Sequence, residues 1–572
     1  MTGQAHTHQQ GCSDLWRWWM PWLGIIAASA LAHIWCTGAQ FYLDDFPQIV
    51  DSTTLSHEQF WSVSMLVWTN FWYWMQFKVF GCSAPAIHAV NWCLHTTSAC
   101  LLFAFARDFP GMQGKRGVAF FAALLFAVHP LGSEIPNYAR TQDLAWVTLF
   151  SLLACWLLVR LANGGSRWNG AGIILAVLGA ACSKGPGIFH ALMACGVVAV
   201  ALMPRGYGQR ARQHMGKIAL AIGCLVLIIA TFGWFGRILC FFDTCSEPRF
   251  AGHALTLCRV FWEFAWRAVL PIHLCADHHI AETLVPSGVH WWQVPDKIAL
   301  FSALSFGLFL CASLALARRS STRLPGICLL LFGFTILFRM LFLVPEFMPE
   351  YRIYPGLPWF CLAAAITLAA GWQRWIKFSP VPAAMILLLG FSWLSAQRSL
   401  LWHDLGALMA DVLHQYPTQS RAIWILQARD ARAGRWQQVI DRHQQALPAV
   451  DTALQQTNKS LAPARELPTG HHALAMIGCI SLNARAMAML HGPADGLRIL
   501  AGLDANMRTL QPPPQKIHWS LVTHARGLIL EQAGDYQGAI RELTLEDGAT
   551  NTRLIDLERV QRKLADQPQT GQ

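Results

Sequence analysis

WMPWLGIIAASALAHIWCTGAQFYLDDF, residues 19–46, is the stretch whose reading decides the fold. Its 19–39 portion is an apolar run without a single Asp, Glu, Lys or Arg, and roughly 20 such residues suffice for a helix to cross a bilayer. Two carboxylates, Asp44 and Asp45, follow almost at once. Working outward, comparable runs recur at 88–106, 117–131, 146–161, 170–183, 187–203, 218–236, 298–316, 325–344, 355–371 and 380–396. By the length criterion that gives about eleven spans. With 54% hydrophobic and only 13% charged residues, the composition excludes an ordinary soluble domain. The expected class is all-α, a polytopic helical membrane domain over residues 1–397.

Basic residues near the runs fall in alternate loops: Arg17; Arg107, Lys115 and Arg116; Arg160 and Arg167; Arg205, Arg210, Arg212 and Lys217; Arg318, Arg319 and Arg323; Arg374 and Lys377. The positive-inside rule makes those loops cytoplasmic and the N-terminus internal. Asp44-Asp45, the 131–145 loop, Lys184, the long 237–297 loop, the 345–354 loop and everything after 397 then share the outer face. The net charge of +11 follows from the cytoplasmic loops and calls for no nucleic acid. Many of the 26 tryptophans, including Trp16, Trp18, Trp19, Trp22, Trp72, Trp74, Trp291 and Trp292, stand at segment ends and read as an interfacial belt. Ala28-Ser29-Ala30 offers a small-residue cleavage site, but the apolar run continues past it to Trp35, so a retained first span is expected. Most of the 17 cysteines lie within runs; Cys240 and Cys245, in the long outer loop, are the disulfide candidates.

After Ala396 the apolar runs give way to Gln, Arg, Asp and Ala with helical periodicity, which predicts a second, extracytoplasmic domain over 398–572. Trp424 to Ala428, Ala433-Gly434-Arg435-Trp436 and Val439-Ile440 read as helix, glycine turn, helix; Ala525 to Leu528, Ala533-Gly534-Asp535-Tyr536 and Ala539-Ile540 repeat the pattern. Small residues permit close helix contact, glycine makes the turn, and an aromatic fills the gap, as in tetratricopeptide repeats. Residues 471–501 read as a degenerate third copy, 448–470 as a loop and 565–572 as a frayed tail, with a generic helical bundle the competing reading of this domain.

The outer face gathers polar groups that the apolar pattern would not supply. His129-Pro130 closes one run, and Glu134, Asn137, Tyr138, Arg140 and Asp143 precede the next; Lys184 interrupts two more, and Glu350-Tyr351-Arg352-Ile353-Tyr354-Pro355 another two. Carboxylates that take a proton and cations that hold a phosphate are what group transfer from a lipid phosphate requires.

In order along the chain, Asp44-Asp45, Gly81 to His88-Ala89-Val90-Asn91 and His95, Leu125 to Pro130 with Glu134, Arg140 and Asp143, Ser183-Lys184, Arg267 to Asp277-His278-His279, Glu350-x-Arg352-x-Tyr354-Pro355 and Trp402-His403-Asp404 resemble the GT-C polyprenyl-phosphate-sugar glycosyltransferases. The likeness is nearest to the transmembrane and tetratricopeptide-repeat protein O-mannosyltransferases and their bacterial relatives. It implies an inverting transfer of a sugar from a polyprenyl phosphate to a hydroxyl of an exported protein, at the periplasmic face of a bacterial inner membrane. It also implies Asp44 or Asp45 as general base. Adjacent residues of an extended loop point opposite ways, so one is the base and the other orients the loop, contacts donor or helps bind a metal; the pair is compatible with Mg2+ or Mn2+. Arg140, Lys184 and Arg352 are the candidates for the donor phosphate, with Glu134, His129, Glu350 and Tyr354 around donor phosphate or sugar. Asp277-His278-His279 reads as a metal cluster or as loop structure.

Two departures stand out. Gly185-Pro186 follows Ser183-Lys184 where relatives commonly carry an acidic residue. Thr69 to Trp74 is aromatic, with Lys78 the nearest cation, where relatives carry a basic residue. The competing readings are a glycosyltransferase acting on a lipid or cell-wall glycan, a non-catalytic membrane-anchored repeat scaffold, and a transporter.

Overall fold

A computed structural model describes residues 5–50, 52, 66–202, 249–278, 280, 296–340, 348–376, 378–417, 419–445, 471–508, 516–545 and 551–566. The expected span 218–236, Cys240, Cys245, His279, Trp291, Trp292, the 448–470 loop and residues 567–572 lie outside these, as do the side chains of Trp16 and Trp18. Contacts divide the chain into two compact units, Met1–Leu274 with Ile280–Leu405, and Cys275–His279 with Gly406–Gln572.

Every regular element among the described residues is helical. The first unit runs α1 (Ala5–His33), α2 (Val67–Phe80), α3 (Ala84–Asp108), α4 (Arg116–Ala127), α5 (Gln142–Ala162), α6 (Trp168–Ser183), α7 (Gly187–Leu202), α8 (Arg249–Val269), α9 (Lys297–Arg318), α10 (Arg323–Met340), α11 (Leu357–Trp375) and α12 (Val381–Leu401). Among the described residues, a helix lies within each of the other expected spans. Among the described residues, five stretches are long and apolar enough to cross a membrane: Trp19–Gly38, Ala84–Asp108, Ala139–Ala162, Lys297–Arg318 and Val381–Leu401. Arg116–Ala127 with Pro130–Asn137, bent by 53°, makes a sixth if it is one span; Trp168–Ser183, Gly187–Leu202 and Arg323–Leu337 are shorter apolar helices.

Hydroxyls inside these helices bond back to their own backbone, Ser98 Oγ to the Leu94 carbonyl at 2.8 Å and Ser151 Oγ to that of Val147 at 2.7 Å, which satisfies them without water. The centre of the unit is α5, packed against α3, α6 and α7. Trp72 is half-buried, not at a free helix end: it stacks on Trp146 with centroids 5.3 Å apart. Trp19, Trp168, Trp375 and Trp393 do remain exposed.

Three stretches expected as loops carry helical structure. The long 237–297 loop contains α8; the 345–354 loop contains a 3-10 turn, Glu350–Ile353; and the 131–145 loop is built from the short helical turns Pro130–Gly132, Glu134–Asn137 and Ala139–Thr141, running into α5 four residues before Trp146. The chain bends there because Pro130 cannot donate a helical hydrogen bond. Buried side chains then take up the backbone. Asn91 Nδ2 donates to the carbonyls of Ile135 and Tyr138 at 3.1 and 3.2 Å, Gln142 Nε2 donates to Asn91 Oδ1 at 2.9 Å, and Gln76 Nε2 donates to Gln142 Oε1 at 3.1 Å. The Tyr73 hydroxyl donates to the Ala139 carbonyl at 2.8 Å. A buried hydrogen-bond network of this kind favours one backbone arrangement.

The second unit contains α13 (Leu405–Gln415, shared at its first residue with the first unit), α14 (Ser420–Arg432), α15 (436–445), α16 (His471–His491), α17 (Pro493–Arg508), α18 (Lys516–Gln532), α19 (Tyr536–Thr544) and α20 (Asn551–Ala565). Three helical hairpins turn on glycines in the left-handed region, Gly434 (φ 70°), Gly492 (φ 114°) and Gly534 (φ 80°), a conformation that a Cβ disfavours. Asp535 caps α19, its carboxylate accepting from the Gly538 N–H at 2.8 Å. Trp436 and Tyr536, the aromatics after two of the glycines, pack against the clusters around Val439 and Ala539.

Candidate active site

Asp44 and Asp45 sit in a turn, not in an extended loop. Leu43 adopts φ 50°, rare for a side chain that size. The Asp45 N–H donates to the Tyr42 carbonyl at 2.9 Å, and the Tyr42 N–H returns a bond to Asp45 Oδ2 at 2.9 Å. The Asp45 Oδ1 accepts from the Arg140 backbone N–H at 2.7 Å. Asp45 is fully buried, and burial pushes its carboxyl up to about 7 against the opposing pull of those two N–H donors. Asp44 is half-buried; its N–H donates to the Tyr138 hydroxyl at 3.3 Å. The geometry separates two residues that the sequence leaves equivalent.

Arg140 leads directly from Asp45 to a cluster of charges. Asp143 Oδ2 accepts from Arg140 Nη1 at 2.9 Å and from Lys184 Nζ at 2.7 Å, while Oδ1 accepts from the Leu144 N–H at 2.6 Å. The Asp143 side chain is 1% exposed, those of Arg140 and Lys184 19% and 28%. Two cations share one buried carboxylate and both retain exposed surface, so the cluster carries a net positive charge toward its open side. Arg140 Nε also bonds the Gln48 side chain. Arg352 is close enough to Lys184 for their charges to oppose each other, and its guanidinium lies 5.8 Å from the Tyr351 ring centroid.

Glu134 positions that segment. Its Oε2 accepts from the Tyr351 N–H at 2.8 Å, and the Tyr351 ring lies 6.1 Å from that of Tyr138, which carries the hydroxyl on Asp44. Glu350, His129 and Tyr354 are fully buried. Glu350 Oε2 accepts from Arg398 Nη2 at 3.2 Å, Tyr354 bonds His95 Nδ1 through its hydroxyl at 2.8 Å, and His129 bonds the Ala268 carbonyl through Nε2 at 3.0 Å while Nδ1 accepts from the Leu131 N–H. In this geometry the three hold loops and helix ends together.

The sequence marks Asp143 as an outer-face charge and as part of the family resemblance without a role of its own, and gives no role to Gln48, Tyr138 or Gln142. The signal for Asp143 was its place one turn after Arg140; Gln48 and Gln142 offered none.

Among the described residues no group of three or more His, Cys, Asp or Glu converges as a divalent-metal site would require. His278 Nδ1 bonds the Tyr416 hydroxyl at 3.0 Å within the second unit, a structural contact.

No protein-family model matches the chain, and no solved structure matches it. Among curated proteins, a protein O-mannosyl-transferase of Caenorhabditis elegans is 26% identical over 155 residues, covering 24% of this chain. The match spans 22% of that protein's length.

Proposed function

We propose that this chain is a membrane glycosyltransferase that moves a sugar from a polyprenyl-phosphate donor to a hydroxyl of an exported protein, with inversion at the anomeric carbon. The observation that carries the reading is a partly open carboxylate, Asp44, beside a buried one, Asp45, whose oxygen accepts from the backbone of Arg140, itself paired with Lys184 across Asp143. The partial likeness to a protein O-mannosyl-transferase supports the same class.

In this mechanism Asp44 takes the proton of the acceptor hydroxyl as its oxygen attacks the anomeric carbon. The bond from that carbon to the phosphate oxygen breaks, and polyprenyl phosphate departs with the electron pair. Arg140, Lys184 and Arg352 stabilise the charge that gathers on the phosphate. Asp45 is the positioning residue, fixing the turn that presents Asp44. The helical hairpins of the second unit are read as tetratricopeptide repeats that receive the acceptor chain. The membrane is a bacterial inner membrane with this chemistry on its periplasmic side.

Reconstituted protein supplied with lipid-linked sugars from host membranes and with unfolded exported polypeptides is expected to attach sugar, and the Asp44→Asn protein is not. Transfer to glycolipid or cell-wall glycan alone would move the acceptor class. Equal transfer by both proteins would overturn the assignment of the base.

A further inference from the structure

Trp402 lies beyond α12, far from the aspartates in sequence, and is 1% exposed. Its ring stacks on Tyr138, with centroids 5.6 Å apart and planes inclined by 29°, and packs against Tyr42 at 5.9 Å. Those two tyrosines each hold one aspartate: the Tyr138 hydroxyl accepts from the Asp44 N–H, and the Tyr42 N–H donates to the Asp45 carboxylate. One indole ring therefore supports both halves of the turn. Its own N–H is buried without a hydrogen-bond partner, so the ring is placed there for its faces and not for its donor.

The end of α12 is held in place from several sides. Asn137 Nδ2 donates to Ser399 Oγ at 2.9 Å, His403 Nε2 bonds the Trp35 carbonyl at 2.7 Å, and a Cβ on Gly38 would collide with the His403 ring. These contacts tie Trp402 to the segment after the first span and to the 137–138 segment, the two strips of backbone that meet at the aspartates. Every contact named lies within the first unit.

We propose that Trp402 is a positioning residue that sets the orientation of Asp44 for proton transfer, acting through Tyr138 and Tyr42. This rests on the reading of Asp44 as general base. Stacked aromatic pairs add to the burial of their rings, and removing the ring leaves both tyrosines free to shift. A displacement of about 1 Å at a reacting group can cost about a hundredfold in rate.

The test compares Trp402→Ala, Trp402→Phe and Trp393→Ala with the unaltered protein in lipid nanodiscs. Trp393 is an exposed residue of α12 and controls for loss of a tryptophan. Amide hydrogen exchange over residues 41–50, read without substrate, is expected to quicken in Trp402→Ala and to return toward the unaltered rate in Trp402→Phe. Sugar transfer by Trp402→Ala is expected to lose about tenfold in kcat with donor KM unchanged, and Trp402→Phe to recover most of it. Unchanged exchange in Trp402→Ala overturns the proposal, as does a kcat loss that Trp402→Phe fails to recover. If the unaltered protein transfers no sugar, the functional reading falls, and the exchange measurement still decides whether Trp402 holds the turn.

Discussion

Asp45 is fully buried and its carboxylate accepts from the backbone N–H groups of Tyr42 and Arg140, so an acceptor hydroxyl reaches it only if the turn opens. Asp44 keeps part of its surface open. Asp44→Asn is therefore expected to lower kcat by roughly two to four orders of magnitude with little change in thermal stability, whereas Asp45→Asn lowers both, because an amide cannot accept from two N–H groups on opposite oxygens. The buried carboxyl also makes a pH prediction. An exposed aspartate titrates near about 4, and Asp45 is held at about 7 in the fold. The folded protein thus binds this proton more tightly than the unfolded chain; the resulting stability is fully present below about pH 4 and is lost as pH rises through about 7. Thermal unfolding should show the unaltered protein losing stability relative to Asp45→Asn between about pH 4 and about pH 7, and parallel curves would contradict this. The sequence marked the pair but could not divide its roles, since the division depends on a leucine, Leu43, in a left-handed conformation that no leucine advertises.

Among the elements, the 129–145 segment contributes most to the candidate site. Its charges were visible as residues, yet its path was not, because its backbone is held by side chains distant in sequence: Asn91 on α3 and Tyr73 on α2. Asn91→Leu leaves the Ile135 and Tyr138 carbonyls and the Gln142 amide without that partner, and is expected to cost about 3 kcal/mol, read as a lowered unfolding midpoint. On the cation cluster, Lys184→Met removes one of the two charges on Asp143 and is expected to raise donor KM roughly tenfold or more; unchanged KM would remove Lys184 from the donor site. The α8 helix escaped notice for another reason. Its apolar positions alternate with Arg259, Glu263 and Arg267 on one amphipathic helix, so the stretch lacks a continuous apolar run. The α12 helix runs past the composition change at Ala396, which places Arg398 in the first unit, paired with Glu350. In the hairpins, by contrast, glycine spacing disclosed the turns. Gly534→Ala, forced to keep φ near 80°, should destabilise the second unit by about 1 kcal/mol.

At the scale of the whole molecule, long apolar runs made the helical membrane class legible, because bilayer thickness imposes a length that few other constraints imitate. The candidate site drew on residues from 44 to 352 that hydropathy treats as interruptions. Their convergence depends on packing around α5, which no local pattern encodes. The central claim is that these interruptions form a sugar-transfer site with Asp44 as its base. Mass spectrometry of exported proteins from host cells expressing either the unaltered chain or Asp44→Asn, at matched protein levels, tests it most directly. Hexose or pentose additions are expected on exported proteins in the first cells and are lost in the second; the same additions in both would contradict Asp44 as the base.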